Sequence, residues 1–285
     1  MTMREEILKG VRSVSPLPAV AARLAVLMRD RDVEIGTLVE AVQYDPGITA
    51  RVIALANSAR FGAGRQILTL KDSLVRIGLD ELYRLVFFSS LAPVIRHPVE
   101  GYDLAIGQLW RHCVATGLAA EAVSEYHGNA TGGGVAFTAG LLHDVGKLVM
   151  DSLSEDYFKQ IEQKADQDDK PFDEAEREIL GIDHTEAGAM VLEQWDFPAE
   201  MVDVVRWHHQ PEKAAISPHL TSVVHVADMV AMMMGVGVGR DALGYRASPE
   251  SLAAAGLNRQ DVEVVALRML GKLEAIEKKF KENGQ

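Results

Sequence analysis

The stretch Ala139-Gly140-Leu141-Leu142-His143-Asp144-Val145-Gly146-Lys147-Leu148-Val149-Met150 is an apolar run that three polar side chains interrupt. Its pattern predicts a buried helix on which Lys147 shares a face with His143 and Asp144. An imidazole and a carboxylate that are adjacent and buried can coordinate one or two cations. The alternative is a core histidine held by an aspartate, beside a lysine that buries only its stem. Further ligand-type residues elsewhere in the chain would favour the metal site.

Ligand-type residues do recur in the apolar helical segments of the second part of the chain. With the central pair, the candidates are His112, His143, Asp144, His184, His208, His209 and Asp228. Such an inventory suits one or two divalent first-row ions (Fe, Mn, Zn or Ni, which the sequence does not distinguish) inside a helical bundle, with Asp144 as a bridging ligand. The alternative is that several are ordinary: His208 and His209 could lie at an exposed helix end, and His225 could be a satisfied core residue.

The composition limits the classes of protein to which the chain can belong. Its 285 residues are 48% hydrophobic and 25% charged, as is usual for a soluble protein. No apolar run reaches the length of a membrane span, and Glu5 and Glu6 stand where a signal peptide needs an apolar segment. The single cysteine, Cys113, excludes an intrachain disulfide and suits a reducing compartment. We therefore expect a cytoplasmic protein that does not bind membranes.

The charge of the chain is acidic and unevenly distributed. A net charge of -12 argues against sequence-independent binding of nucleic acid, which needs a basic surface. Residues 1–100 contain 13 Lys/Arg against 11 Asp/Glu, whereas residues 101–285 contain 16 against 30. This asymmetry predicts two lobes, of which only the second is acidic.

Helix signals in the first hundred residues are local and clear. Asp45 and Pro46 supply an N-cap and a first-turn proline, and Thr69 with Asp72 forms a capping-box-like start. Gly78 is predicted to end that helix shortly before the next one begins. No sustained alternation of apolar and polar residues calls for a sheet, so the predicted fold is all-α.

The second part of the chain predicts longer helices with connections between them. Asp183 is predicted to cap a helix that starts with His184, and Asp261 to cap a C-terminal amphipathic helix. Glycine-rich loops are predicted for Gly128 to Gly134 and for residues 235–249. The acidic stretch from residue 151 to 173 is predicted to face solvent.

The order H…HD…H…HH…D resembles the HD superfamily of helical metal-dependent phosphohydrolases. The resemblance implies a first metal ion held by His112, His143, Asp144 and Asp228. It implies a second ion held by His184 and by His208 or His209. Lys147 matches the lysine of the HDxGK motif of that superfamily.

Over residues 14–235 or so, the chain resembles the narrower HDOD family, the HD-related output domains of bacterial signalling proteins. The N-terminal motifs are Leu17-Pro18-Ala19-Val20, Gln43-Tyr44-Asp45-Pro46-Gly47-Ile48-Thr49-Ala50-Arg51 and Leu55-Ala56-Asn57-Ser58. The second half supplies Gly140 to Lys147, Gly181 to Ala189 and Trp207-His208-His209. The Gly-Tyr-Pro element of the cyclic-di-GMP phosphodiesterases of the HD-GYP group is missing after the paired histidines. Gln108 stands where some members of that group place a glutamate for a third metal ion.

The resemblance implies a helical N-terminal subdomain, residues 1–100, packed on an HD-type bundle, residues 101–285. It implies a bacterial signal-transduction output domain that acts by protein contact or ligand sensing, with a degenerate or structural pocket for metal or nucleotide and an unknown signalling partner. The alternative is a metal-dependent phosphohydrolase of a nucleotide or cyclic dinucleotide, in which Lys147 would be catalytic because it stabilises developing charge. A third interpretation is a structural remnant with an empty site.

Overall fold

The computed structural model describes residues 3–14, 17–28, 30, 33–62, 66–126, 133–242 and 249–282. In these ranges the fold is all-α, and the only extended pairing is an isolated bridge between Val99 and Leu104. The all-α prediction is therefore confirmed. None of the helices in these ranges combines the length and the apolar character needed to cross a membrane.

The described residues of the first region form five helices. They are α1 (Met3–Ser13), α2 (Ala19–Leu27), α3 (Ile35–Val42), α4 (Pro46–Ala56) and α5 (Leu70–Ile95). Asp45 accepts a hydrogen bond from the Ile48 backbone N–H at 2.9 Å, and Thr69 accepts one from the Asp72 N–H at 3.1 Å. Within α5, Gly78 has a φ of 80° and breaks the helix into two pieces. The predicted caps and the predicted break are all in place.

The second region surrounds three central helices. Its helices are α6 (Gln108–Tyr126), α7 (Gly133–Leu142), α8 (Lys147–Met150), α9 (Glu155–Asp168), α10 (Phe172–Leu180), α11 (His184–Gln194), α12 (Ala199–Trp207), α13 (Pro218–Met233), α14 (Pro249–Ala254) and α15 (Arg259–Glu282). Short 3₁₀ turns lie at Glu100–Tyr102, Pro211–Lys213 and Arg240–Ala242. Helices α6, α7 and α13 are buried along most of their length and form the centre of the bundle.

The two regions pack on each other. Helix α5 lies against α7, and α1 lies against α8 and α11. The buried apolar side chains of both regions form one continuous cluster among the described residues. The predicted boundary near residue 100 stays a prediction, because the core runs across it.

Glycines allow the central elements to approach closely. A Cβ on Gly140 would lie 2.8 Å from the Gly117 Cα, so α6 and α7 cross almost backbone to backbone. A Cβ on Gly146 would overlap the carbonyl oxygen of His184, which brings the start of α8 against α11. These crossings draw the helices that carry ligand-type residues toward one point.

The central stretch is not the continuous helix that its pattern predicts. Helix α7 ends at Leu142 and α8 begins at Lys147, so His143 and Asp144 lie in the turn between them. Backbone hydrogen bonds from Val145 N to the Leu142 oxygen, 3.0 Å, and from Lys147 N to the Asp144 oxygen, 3.0 Å, close this turn. The turn aims the imidazole and the carboxylate inward from the end of a helix.

Three other local expectations hold only in part. The glycine-rich loop ends earlier than predicted, because α7 already begins at Gly133; residues 127–132 lie outside the described part. A Cβ on Gly134 would lie 2.6 Å from the Asp80 Cα, so this glycine serves close packing.

The acidic stretch 151–173 is amphipathic and buries Phe158 and Asp173. The last helix begins at Arg259 with Asn258 as its N-cap; Asp261 does take part in the cap, because its Oδ2 accepts from the Asn258 N–H at 2.8 Å, but it does so from inside the first turn.

Candidate metal centre

Four of the candidate histidines are oriented by a hydrogen bond at Nδ1. The acceptors are the carbonyl oxygens of Val236 for His112 (3.1 Å), Gly140 for His143 (2.7 Å) and Val205 for His208 (2.8 Å), and Glu176 Oε2 for His184 (2.6 Å). Carbonyl and carboxylate oxygens only accept, so Nδ1 carries the proton in each ring. Nε2 is thereby left as the ligand atom, as in histidines that bind metals in proteins.

A first group of ligand atoms lies between α6, the turn after α7, and α13. Nε2 of His112 is 2.9 Å from Asp228 Oδ1, and Nε2 of His143 is 3.5 Å from the same oxygen. Asp144 Oδ2 is 3.5 Å from His112 Nε2 and 3.3 Å from His143 Nε2. Four side chains from three elements therefore face one point, with spacings like those between ligands of one ion.

A second group lies between α11 and the end of α12. One ligand atom from each of His184, His208 and His209 lies within 4.8 Å of the others, and the Nε2 atoms of His184 and His209 are 3.1 Å apart. Asp144 Oδ1 is 3.7 Å from His184 Nε2 and 3.9 Å from His208 Nε2. The two oxygens of Asp144 thus face different groups, which is the arrangement of a carboxylate that bridges two ions.

The donor set passes a test of fit for a metal ion. The buried ligand-type atoms that make no hydrogen bond to the described residues include His143 Nε2, Asp144 Oδ1, His208 Nε2 and Asp228 Oδ2. Leaving such groups without partners costs free energy, so their convergence calls for a cation to satisfy them. Imidazole nitrogens with carboxylate oxygens suit divalent first-row ions.

The electrostatics of the site also favour a cation. Burial disfavours the charged form of Asp144 and Asp228, but the histidines around them and Lys147 beside Asp144 outweigh it and hold both carboxyl pKa values well below their usual range. Burial likewise opposes the charging of His143, yet the two carboxylates raise its pKa to about 10. Burial and neighbouring His143 lower the pKa of His208 to about 3. In the chain without metal, a protonated His143 and Lys147 therefore compensate the two carboxylate charges beside a neutral His208, and a bound cation would take the place of the His143 proton.

Lys147 lies beside the cluster, and both hydrogen bonds of its ammonium go to carboxylates. Its Nζ donates to Asp144 Oδ2 and to Asp241 Oδ2, each at 2.6 Å, and lies 5.4 Å from the centroid of the Tyr102 ring. The residue is 4% exposed. Sequence reasoning missed Asp241, because it lies in the stretch that we interpreted as a glycine-rich loop.

The segment that carries Asp241, residues 235–242, closes one side of the cluster. The Val236 carbonyl oxygen accepts from His112, and Asp241 pairs with Lys147. A Cβ on Gly237 would overlap the Gln108 carbonyl oxygen, so the backbone of this segment lies directly on α6. The segment thus contacts both the first group of ligand atoms and the lysine.

Sequence reasoning also missed Glu176 and Tyr102. Glu176 is fully buried, accepts from His184 and from the Tyr102 hydroxyl, and lies on α10. A signal was present: Phe172, Glu176 and Leu180 follow at intervals of four, so the glutamate occupies the apolar stripe of an otherwise acidic helix.

The remaining histidines lie elsewhere. His225 is buried, and its Nδ1 lies 2.7 Å from the His208 carbonyl oxygen, as expected of a satisfied core residue. His97 and His219 are exposed, and His127 lies outside the described residues. His208 does end a helix, but it is 0% exposed, so the alternative of an exposed helix end is wrong for it.

The comparison with families identifies the chain. The family model described as HDOD domain matches residues 14–211. The chain belongs to the HDOD family. This confirms the resemblance that the N-terminal and central motifs indicated, over a span that ends somewhat earlier than predicted.

Solved structures with the same fold include three of low identity. An HDOD domain protein of unknown function from Geobacter sulfurreducens is 24% identical, with 98% of this chain and 93% of that chain covered and a TM-score of 0.65. A protein named provisionally for signal transduction, from Marinobacter aquaeolei, is 21% identical, with 99% and 66% covered and a TM-score of 0.73. A provisionally named phosphohydrolase from Shewanella amazonensis is 23% identical, with 93% and 93% covered and a TM-score of 0.64. At these identities the likeness shows the fold.

One curated relative is a longer protein, of which this chain matches only a part. An uncharacterized protein of Treponema pallidum is 23% identical over 220 residues, which are 77% of this chain and 42% of the relative. The chain therefore spans less than half of the length of that protein.

Proposed function

We propose that this HDOD chain is a cytoplasmic signal-transduction output module whose His/Asp cluster holds one or two divalent transition-metal ions. It acts through contact with a signalling protein or by sensing a ligand, for which nucleotides are the first class to test. The observation that supports this choice over hydrolysis is the enclosure of the cluster, together with the pairing of Lys147 to two carboxylates.

The ligand side chains are shut away from solvent. His143, His184 and His208 are 0% exposed, and Asp144 and Asp228 are 1% exposed. A hydrolase must admit both a substrate and water to its metal ions. A structural metal site needs neither.

Lys147 is held in a way that suits a structural role. A lysine that binds phosphate presents its ammonium to the substrate, but here two carboxylate oxygens lie at 2.6 Å from Nζ. Asp241 would have to move before an anion could take its place. The ammonium therefore serves the cluster itself, because it compensates part of the negative charge of Asp144.

The ligands join elements that are far apart in sequence. They come from α6, the turn after α7, α11, the end of α12, and α13. Bound ions would supply positive charge to the buried carboxylates and link these five elements. Because ligands of this kind converge only in the folded chain, the free energy of metal binding adds to the free energy of unfolding.

A metal-dependent phosphohydrolase is the second candidate. The completeness of the donor set favours it, since both groups, the bridging position of Asp144 and the lysine are all present. In that function, opening of the 235–242 segment would expose Lys147 to the phosphate of a nucleotide.

One preparation tests both candidates. The protein is purified without added metal, its metal content is measured by mass spectrometry, and its melting temperature is recorded before and after chelation. We expect bound metal, a lower melting temperature after chelation, and no hydrolysis of nucleotides or cyclic dinucleotides with Mn²⁺, Fe²⁺, Zn²⁺ or Ni²⁺. Turnover by the wild type that is lost in Lys147→Met would contradict the regulatory role and establish the hydrolase. A protein that neither contains nor binds any of these ions would contradict both proposed functions.

A further inference from the structure

We propose that Glu176 and Tyr102 are positioning residues that set the affinity of the second ion, the one held by His184, His208 and His209, without changing the affinity of the first. This inference rests on the proposed loading of the cluster with metal. It assigns a role to two residues that supply no ligand atom.

Both oxygens of the Glu176 carboxylate are used to hold its neighbours. Oε2 accepts from the His184 backbone N–H at 3.0 Å and lies 2.6 Å from the His184 Nδ1, while Oε1 accepts from the Tyr102 hydroxyl. The side chains of Glu176 and His184 are 0% exposed. Because both of its oxygens are hydrogen-bonded, the Glu176 carboxylate is itself fixed. It therefore holds the His184 backbone in place and the His184 ring in one orientation.

The partner of His184 differs in charge from the partners of the other oriented ligands. His112, His143 and His208 donate from Nδ1 to backbone carbonyl oxygens, which are neutral. A carboxylate at Nδ1 makes the imidazole more basic, so its Nε2 is a stronger donor to a metal ion. His184, in the second group, is therefore a stronger donor to a metal ion than the histidines of the first group, whose Nδ1 partners are neutral.

Tyr102 completes this arrangement from another element. Burial and the adjacent Glu176 raise the Tyr102 pKa well above its usual value, so the phenol stays protonated and keeps donating. Its ring stands edge-on to the His184 ring, with centroids 6.1 Å apart and an interplanar angle of 83°, which restricts rotation of the imidazole. The Glu100–Tyr102 turn and α10 thus act on the second group through His184.

The test is a calorimetric titration of the metal-free full chain with Zn²⁺ alone. The variants are Glu176→Gln and Tyr102→Phe. Asp203→Asn is the matched control, because Asp203 is also a buried carboxylate and accepts from two backbone N–H groups, of Ile216 at 2.8 Å and Ser217 at 2.9 Å.

We expect the wild type to bind two Zn²⁺ ions. Glu176→Gln should weaken one of them about 10- to 100-fold and leave the other unchanged. Tyr102→Phe should weaken the same ion by a smaller factor, and Asp203→Asn should change neither. This split between two sites is not expected from general loosening of the fold.

The outcomes separate this inference from the proposed function. A wild type that binds no ion overturns both. A wild type that binds Zn²⁺, with unchanged affinities in Glu176→Gln or with both ions weakened equally, overturns only the inference. A wild type that binds a single Zn²⁺ also overturns it. If Glu176→Gln does not fold, the titration of Tyr102→Phe decides by the same criteria.

Discussion

The first region, α1 to α5, and the second, α6 to α15, are both built from packed helices but differ in where they place charge. Among the described residues of the first region, few polar side chains are buried: Ser73, Glu81 and Ser90. In the second they include every candidate ligand of both groups except His209, together with Lys147, Glu176 and Asp241. The first region therefore has little buried charge to compensate, that of Glu81, whereas the second must compensate many charges in its interior.

An aspartate should contribute more to the unfolding free energy in the second region than in the first. Asp144→Ala leaves Lys147 with one carboxylate instead of two and removes the bridge between the ligand groups. We expect the metal-loaded protein to lose about 3–5 kcal/mol of unfolding free energy, the usual cost of breaking a buried ion pair. Denaturant unfolding measures it.

The matched variant is Asp45→Ala in the first region. It removes an N-cap that accepts from Ile48 N, which should cost about 1 kcal/mol. Equal losses in Asp144→Ala and Asp45→Ala would show that the interior carboxylate has no special role.

Glycine substitutions sharpen the contrast at the level of the backbone. A Cβ at Gly146 overlaps backbone atoms of α11, which cannot move aside as a side chain can. We expect Gly146→Ala to lower the unfolding free energy by about 3 kcal/mol and to reduce the metal content, since His184 must shift.

The control is Gly36→Ala on α3, where a new Cβ meets nothing within 4 Å. That variant should gain about 0.5–1 kcal/mol, because alanine loses less backbone entropy in a helix. A tolerated Gly146→Ala would mean that α8 and α11 are packed less closely than the structure shows.

Of the three differences between the two regions, the one between their ion pairs should be the smallest. A double-mutant cycle of Lys147→Met and Asp241→Asn should yield a coupling of about 1–3 kcal/mol, since both side chains are buried and only 2.6 Å apart. Arg60 and Glu81 in the first region are also 2.6 Å apart, but the Arg60 side chain is 62% exposed.

The cycle of Arg60→Ala and Glu81→Ala should therefore give less than about 1 kcal/mol. Both cycles are followed by denaturant unfolding in the same buffer. Similar couplings at the two sites would argue that solvent reaches the lysine.

The helical fold and many helix starts could be predicted because their signals are local. The cap at Asp45, the cap at Thr69 and the break at Gly78 each depend on a few neighbouring residues, and all three are present in the structure. The ligand-type residues could be singled out because polar side chains are costly in apolar helices. That they serve as metal ligands stays a prediction.

The residues that sequence reasoning missed depend on contacts over long distances in the chain. Asp241 meets Lys147 across 94 positions, and Glu176 meets Tyr102 across 74. An aspartate in a glycine-rich stretch and a glutamate in an acidic one look like solvated residues. Gly134 likewise looks like a loop residue in the sequence, because only the folded chain shows α5 lying against it.

The contacts of the 235–242 segment have a consequence for the timing of metal uptake. Because this segment holds His112 through Val236 and Lys147 through Asp241, an ion held by the first group can leave on this side of the cluster only when both contacts are broken. If the cluster is loaded as proposed, exchange would then be limited by the rate of local opening. The chain would keep whichever ion was available while it folded, so the metal supply of the cell at synthesis, more than relative affinity, would decide which ion it carries.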